Sequence, residues 1–309
     1  MKIMQKLCAV QNPWSEVATL SGQYIKTTIY SGGVAHMVLD RPPVNALSDD
    51  VYAELTAQAV VLKDRSDVKV VLFSAATKKG TSLGGADVKK FLRFKEPADG
   101  FAHSSGRHQM LRDAFRQLGK PVIAGVDGAA LGGGFEILLS ADEIIAAQSA
   151  TLGSPEVGLG IIPGAGGTQF ITRRAGARKA VEVIIENAWK GPKGQMSASK
   201  ALEYGLVDTV VEDGEFQNKL RERALEIAGY NHSERAGWKT HRRRLLEGLP
   251  PDASGIGERG LDYLSNVDVR TLVPPTLVPA AQKALESIRV AYGSQSLDPA
   301  YNGPRQSIR

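Results

Sequence analysis

Two rhythms of apolar and polar residues alternate along this chain, and the switches between them predict its elements. Tyr24 to Tyr30 (YIKTTIY) and Val34 to Asp40 (VAHMVLD) flank Ser31-Gly32-Gly33, the pattern of a β-hairpin, and Pro42-Pro43 ends it. Before Gln23 no period holds, so an irregular arm is expected. Ser48 is a good N-cap for a helix to about Leu62, with apolar residues at helical spacing. Val68 to Ser74 (VKVVLFS) and Pro121 to Val126 (PVIAGV) read as short buried strands, and Asp142 to Ala147 as another strand.

Between the strands lie helical stretches and glycine-rich loops. Ala75 to Lys90 is a Gly-rich loop leading into a helix, and a second helix is expected near Gln109 to Leu118. A helix opens at Gly132-Gly133-Gly134 and carries Phe135 to Ser140. The loop Gly153 to Gly167 feeds a helix ending near Gly176, and another runs from Arg178 to Asn187. Ser197 to Tyr204 reads as a short helix and Leu206 to Val211 as a strand. From Glu215 the chain looks mostly helical, with breaks at Pro250-Pro251 and Pro274-Pro275, and Ser294 to Arg309 reads as a polar tail. Strands alternating with helices imply an α/β core of ββα turns. The expected division is an arm at 1–22, the core at 23–215, a helical region at 216–293 and a tail at 294–309.

Composition narrows the classes. With 42% hydrophobic residues among 309, a sizeable core forms. No apolar run approaches the ~20 residues of a membrane span. The single cysteine, Cys8, excludes an intramolecular disulfide and a cysteine zinc cluster. The first residues lack an export signal, so a cytoplasmic location is expected. His36, His103, His108, His232 and His241 show no metal-ligand spacing, so no metal is expected. A net charge of +5 fits nucleic acid, a phosphate-bearing small substrate or a plain soluble protein.

Three loops carry candidate chemistry. In Ala130-Leu131-Gly132-Gly133-Gly134-Phe135-Glu136 a strand, a glycine run and a helix form a backbone hook. The first helical N–H groups have no internal partner, so the hook suits a phosphate or an oxyanion, or is a plain tight turn. Glu136 lies three residues after Gly133, on the same helical face, within an apolar stretch. There it is either a desolvated general base or a solvent-facing glutamate. Glu156, in Ser154-Pro155-Glu156, is either its partner or an ordinary loop residue. Two carboxylates with differently tuned pKa values are what acid/base addition of water needs. The third loop is Ser82-Leu83-Gly84-Gly85-Ala86-Asp87.

LGGGFE, SPEVGLG and IPGAGGTQ, in this order, resemble the signature of the crotonase, or enoyl-CoA hydratase/isomerase, superfamily. Arg41 to Leu47 (RPPVNAL), Gly85-Ala86-Asp87, Lys120 to Ala124 and Ala201 to Asp208 add matches, so the resemblance spans roughly residues 24–215. It implies a crotonase-like spiral of ββα units with a C-terminal helical trimerisation region, as a homotrimer or a hexamer of paired trimers. It implies an acyl-CoA substrate and no separate cofactor, coenzyme A being part of the substrate. The thioester oxygen would sit between the N–H groups of Ala86 and Gly133. Val44, Ala46, Gly84, Asp87, Val88, Gly132, Pro155 and Gly164 would line the substrate site. Hydratases of this family keep both glutamates, as here, which favours enoyl-CoA hydration.

Some features depart from that pattern. Leu83-Gly84 replaces a more usual small pair, Phe170 stands where a basic residue is frequent, and Ala188 to Met196 is longer than the usual turn. The C-terminal region from Tyr230 onward, with His241-Arg242-Arg243-Arg244, is unlike a fatty-acid β-oxidation hydratase, and Trp238 and Lys239 join Arg242 to Arg244 in a basic stretch. Competing readings are isomerase, hydratase-lyase or thioester hydrolase chemistry, an RNA-binding protein with this fold, and a catalytically silent subunit. For the basic stretch itself, a solvated helix face or a subunit contact is the plainer reading.

Overall fold

A computed structural model describes residues 12–77, 80–247 and 257–293. The chain enters it through an antiparallel meander, Glu16–Ser21 (β1), Ile25–Tyr30 (β2) and Val34–Leu39 (β3). The hairpin pairs as expected, with Ile29 opposite Ala35. β1 corrects the expectation of an irregular arm. It is an edge strand with no fully buried residue, so it carries no apolar alternation to read, and backbone pairing to β2 makes it. Asp49–Asp64 (α1) starts where Ser48 Oγ accepts from Val51 N–H, and Asp49 and Asp50 favour the positive end of the helix.

After α1 the chain repeats one manoeuvre, laying one strand in a large sheet and the next in a small one. The pairs are Val70–Ala75 (β4) with Thr81–Leu83 (β5), Val122–Val126 (β6) with Ala129–Leu131 (β7), and Glu143–Ala147 (β8) with Thr151–Gly153 (β9). Helical segments follow each pair: a 3-10 turn at Val88–Arg93 and Pro97–Leu111 (α2), then Gly133–Leu139 (α3), then Gly167–Ala175 (α4) and Ala177–Val181 (α5). Met196–Ser197 (β10), Ala198–Glu203 (α6) and Thr209–Val211 (β11) close the last turn. The large sheet runs β1-β2-β3-β4-β6-β8-β11, parallel from β3 onward, and the small one runs β10-β9-β7-β5. This is the spiral of ββα units the motifs imply.

Two boundaries differ from the sequence reading. The helix expected near Gln109 begins at Pro97 and ends in a π turn at Arg112–Arg116. Gly100, Ser104, Ser105 and Gly106 are poor helix formers and hid its first half. Packing against α1 and the hydrogen bond from Ser104 Oγ to Gly164 O (2.5 Å) hold it instead. The strand expected from Leu206 begins at Thr209, because Asp208 turns its carboxylate to Ile144 N–H (2.7 Å).

β4, β6 and β8 are buried at every position, so both faces of the large sheet are covered. Strand period divides them. Val71, Phe73, Val122 and Ala124 enter the main core. Val70, Leu72, Ile123 and Ile145 meet Phe216, Leu220, Ala224 and Ile227 of Phe216–Gly229 (α7).

Three more helices follow, His232–Glu247 (α8), Gly257–Asn266 (α9) and Val278–Gly293 (α10). α10 packs on α4 and α5, with Ala281, Ala284 and Ile288 buried. Pro274-Pro275 falls at the expected break before α10. Pro250-Pro251 and the tail 294–309 lie outside the described residues. No described helix is long and apolar enough to cross a membrane.

Two cations of the basic stretch on α8, Lys239 and Arg242, turn inward, while Thr240 and His241 stay exposed. Lys239 Nζ pairs with Asp142 Oδ2 at 2.6 Å, and Arg242 pairs with Asp208 and donates to Asp142 O (2.8 Å).

Candidate active site

Three loops meet at the N-terminus of α3. Gly132 turns the chain there with φ +54° and ψ −126°, a conformation that side chains resist, while its N–H donates to Gly153 O (2.9 Å). A Cβ on Gly134 would collide with the Leu83 carbonyl, so the first turn of α3 lies directly on β5. Gly134→Ala is therefore expected to lower stability by about 1–3 kcal/mol, the usual cost of overpacking. Urea unfolding measures it, and an unchanged midpoint would show that β5 yields freely.

The Gly84-Gly85-Ala86-Asp87 loop is clamped from the other side. Gly84 N–H donates to Val44 O (2.8 Å), and Leu47 N–H donates to Gly85 O (2.7 Å). Asn45 organises the clamp. It is buried with φ +51°, a value asparagine tolerates better than most residues. Its side chain accepts from Arg41 N–H (2.7 Å) and donates to Ala76 O (2.8 Å) and Ser82 O (2.9 Å). The clamp brings Ala86 beside Gly133, since a Cβ on Gly133 would lie 3.4 Å from Ala86 N. Among the described residues neither of these two N–H groups donates a hydrogen bond. Two free amides side by side suit a developing oxyanion.

The two glutamates are both buried, Glu136 at 4% and Glu156 at 7% exposure. That removes the solvent-facing and surface-loop alternatives. Glu136 Oε1 accepts from Ala165 N–H (2.8 Å) and Gly167 N–H (2.7 Å). Glu156 Oε2 accepts from Ser154 Oγ (2.8 Å), and its Oε1 lies 3.1 Å from where a Cβ on Gly132 would stand.

Burial pushes both carboxyls above the usual range, and the environments then separate them. For Glu136 the two amide bonds and Arg107 work against burial and favour the anion. For Glu156 the charge of Glu136 adds to burial, and the Ser154 hydrogen bond opposes it. The two carboxyls therefore feel each other, and the proton rests more readily on Glu156.

The other expected site residues gather around the same loops. Val44 is exposed above Gly84, and Ala46 O accepts from Arg41 Nη1 (2.9 Å). Asp87 is half-buried, its main-chain oxygen accepts from Lys90 N–H (3.1 Å), and Val88 opens the 3-10 turn. Pro155 is half-buried beside Gly132, and Gly164 O is held by Ser104. The long Ala188 to Met196 stretch walls a cavity of about 200 Å³ together with Leu131, Ser154 and Pro155. No group of three His, Cys, Asp or Glu side chains able to hold a metal occurs among the described residues.

Sequence reasoning missed Tyr52 and Arg107. Tyr52 Oη lies 3.6 Å from the position of a Cβ on Gly133. The Arg107 guanidinium sits 5.1 Å above its ring and pairs with Asp49 at 3.0 Å. Tyr52 falls on the apolar face of α1 and so reads as core. The usable signal was its hydroxyl, because a buried phenol needs a partner.

The sequence model for the enoyl-CoA hydratase/isomerase family matches residues 30–247. The chain belongs to that family. Among curated relatives, a short-chain-enoyl-CoA hydratase of Clostridium acetobutylicum is 36% identical over 197 residues, covering 63% of this chain and 72% of that protein. A glyoxysomal fatty acid beta-oxidation multifunctional protein, MFP-a, of Brassica napus is 38% identical over 209 residues, which is 65% of this chain but only 27% of that protein. The chain thus spans about a quarter of that multifunctional relative. Among solved structures, an enoyl-CoA hydratase from Bacillus anthracis superposes with a TM-score of 0.60 at 28% identity, covering 88% of this chain and 90% of that one. For an enoyl-CoA hydratase/isomerase family member, the buried glutamate pair beside two free amides is the feature with the most chemical content.

Proposed function

We propose that this family member is an enoyl-CoA hydratase, adding water reversibly across the 2,3 double bond of an enoyl-CoA thioester. The observation that carries the proposal is the pair of buried carboxyls with unequal environments. Glu136, favoured as the anion, takes a proton from water as its oxygen bonds to the β-carbon. The π electrons move toward the thioester oxygen, which the Ala86 and Gly133 amides receive. Glu156, favoured as the acid, delivers its proton to the α-carbon, and the enolate collapses to the 3-hydroxyacyl thioester. One water is added, and the proton has passed from Glu156 to Glu136. Named relatives support the assignment.

A panel of enoyl-CoA thioesters, short, long and aromatic, tests the reading through loss of the conjugated enoyl absorbance. Hydration of at least one member is expected, and no turnover with any would overturn it. The pair also sets a pH dependence. The singly protonated pair is the active form, so kcat/KM falls at acid pH as Glu136 takes a proton and at alkaline pH as Glu156 loses one. Both limbs are expected well above the ordinary glutamate pKa of about 4.3, because both groups are shifted upward. A profile with no limb in the neutral range would count against the pair.

A homotrimer, alone or paired as a hexamer, belongs to the same reading. In support, α9 buries Leu264 within the chain while leaving Leu261 exposed at 42%. Light scattering at working concentration decides it, and a monomer would remove this part of the proposal.

A further inference from the structure

We infer that Tyr52 is a third hydrogen-bond donor at the reacting end of the site, its hydroxyl meeting the thioester oxygen beside the Ala86 and Gly133 amides. The inference rests on the acyl-CoA reading above and adds a side chain to an otherwise main-chain oxyanion site.

The geometry is local and specific. A single point, the place of a Cβ on Gly133, lies 3.6 Å from Tyr52 Oη and 3.4 Å from Ala86 N. The hydroxyl and the Ala86 amide, with Leu47 Cδ1 at 3.6 Å, therefore border the same space beside Gly133, next to the amides that would receive a ligand oxygen. Tyr52 is 1% exposed, and buried phenols almost always find a partner. Among the described residues Tyr52 Oη makes no hydrogen bond, and it is not among the side-chain atoms sealed from solvent, so the hydroxyl borders open space.

A donor is what Tyr52 supplies. Burial and then the negative charge of Glu136 hold the phenol protonated across the working range. Such a group seeks an acceptor, and the acceptor that gains charge during the reaction is the thioester oxygen. Glu136 is the competing acceptor: its Oε1 takes two amide hydrogen bonds, its Oε2 takes none among the described residues, and the enolisation readout below separates the two acceptors. The Arg107 cation over the ring draws electron density from the phenol and fixes its orientation, while Asp49 anchors Arg107.

Tyr52→Phe tests the inference, because it keeps the ring and its stacking on Arg107 and removes only the hydroxyl. On the best enoyl-CoA of the panel, kcat is expected to fall about 10²-fold, the usual effect of losing one oxyanion donor, with KM nearly unchanged. The second readout needs no turnover. Acetoacetyl-CoA bound to the protein forms an enolate seen by ultraviolet absorbance, and its apparent enolisation pKa is expected to rise by about one unit in the variant. An unmoved enolisation pKa overturns the inference whatever happens to kcat, since a loss of rate alone would place the hydroxyl on Glu136 or water. If the parent protein hydrates no enoyl-CoA but the enolisation pKa still moves, the hydratase reading fails and the Tyr52 assignment stands.

Discussion

Glu136→Gln and Glu156→Gln are each expected to cut enoyl-CoA hydration by roughly 10²–10⁴-fold, the contribution of a positioned general acid or base. Steady-state kinetics on the best substrate of the panel measure it. Near-parental turnover in either variant would defeat the assignment. Glutamine keeps the shape of each side chain, so the loss belongs to the proton and not to packing.

The same variants carry an opposite effect on stability, whose sign follows from linkage. Each glutamate has a folded-state pKa above its unfolded value of about 4.3. Below that value both states are protonated and nothing is lost. As pH rises the unfolded chain ionises first, so the folded state holds more protons and its stability declines until the raised values are passed. A glutamine has no such penalty. Each variant is therefore expected to match the parent in Tm at acid pH and to exceed it at alkaline pH. Equal melting curves at both extremes would mean that the carboxyls are not desolvated in solution.

Lys239→Met is expected to cost about 3–5 kcal/mol, the toll of leaving a buried charge without its partner. Lys239 and Asp142 are each only 6% exposed and 2.6 Å apart. Asp142 Oδ2 also accepts from Val122 N–H (2.9 Å), and Lys239 Nζ donates to Lys120 O (2.7 Å), so the pair ties α8 to the end of β6. Urea unfolding with a matched m-value reads the loss. The double variant Lys239→Met with Asp142→Asn is expected to recover most of it, because neither charge then remains buried. A single variant as stable as the parent would show that the pair adds nothing to the docking of α8.

The basic stretch also shows the limit of reading charge along a chain. Lys239 and Arg242 look like a solvent-facing cluster until Asp142 and Asp208, 97 and 34 residues away, come to meet them. An ion pair of that span has no local signature. The early helix at Pro97–Leu111 was hidden for a related reason, since its own residues favour helix weakly and its contacts with α1 and Gly164 decide it. Tyr52 lies on the apolar face of α1, where helical spacing points to core, which is true of its ring and not of its hydroxyl.

By itself the sequence determined what depends on neighbours along the chain. Ser48 starts α1, the glycine run opens α3, the apolar runs of β4 and β6 make buried strands, and the ordered glycine motifs carry the family. Local sterics, capping and strand or helix period act over a few residues, so their outcome is written there. Tertiary structure alone decided the chemistry of those residues. Glu136 and Glu156 lie 20 positions apart in sequence, yet burial takes both from water, Ala165 and Gly167 hold the one, Ser154 holds the other, and the charge of Glu136 acts on Glu156. Removal from water and the field of a second charge depend on distance through space, which the order of residues does not state.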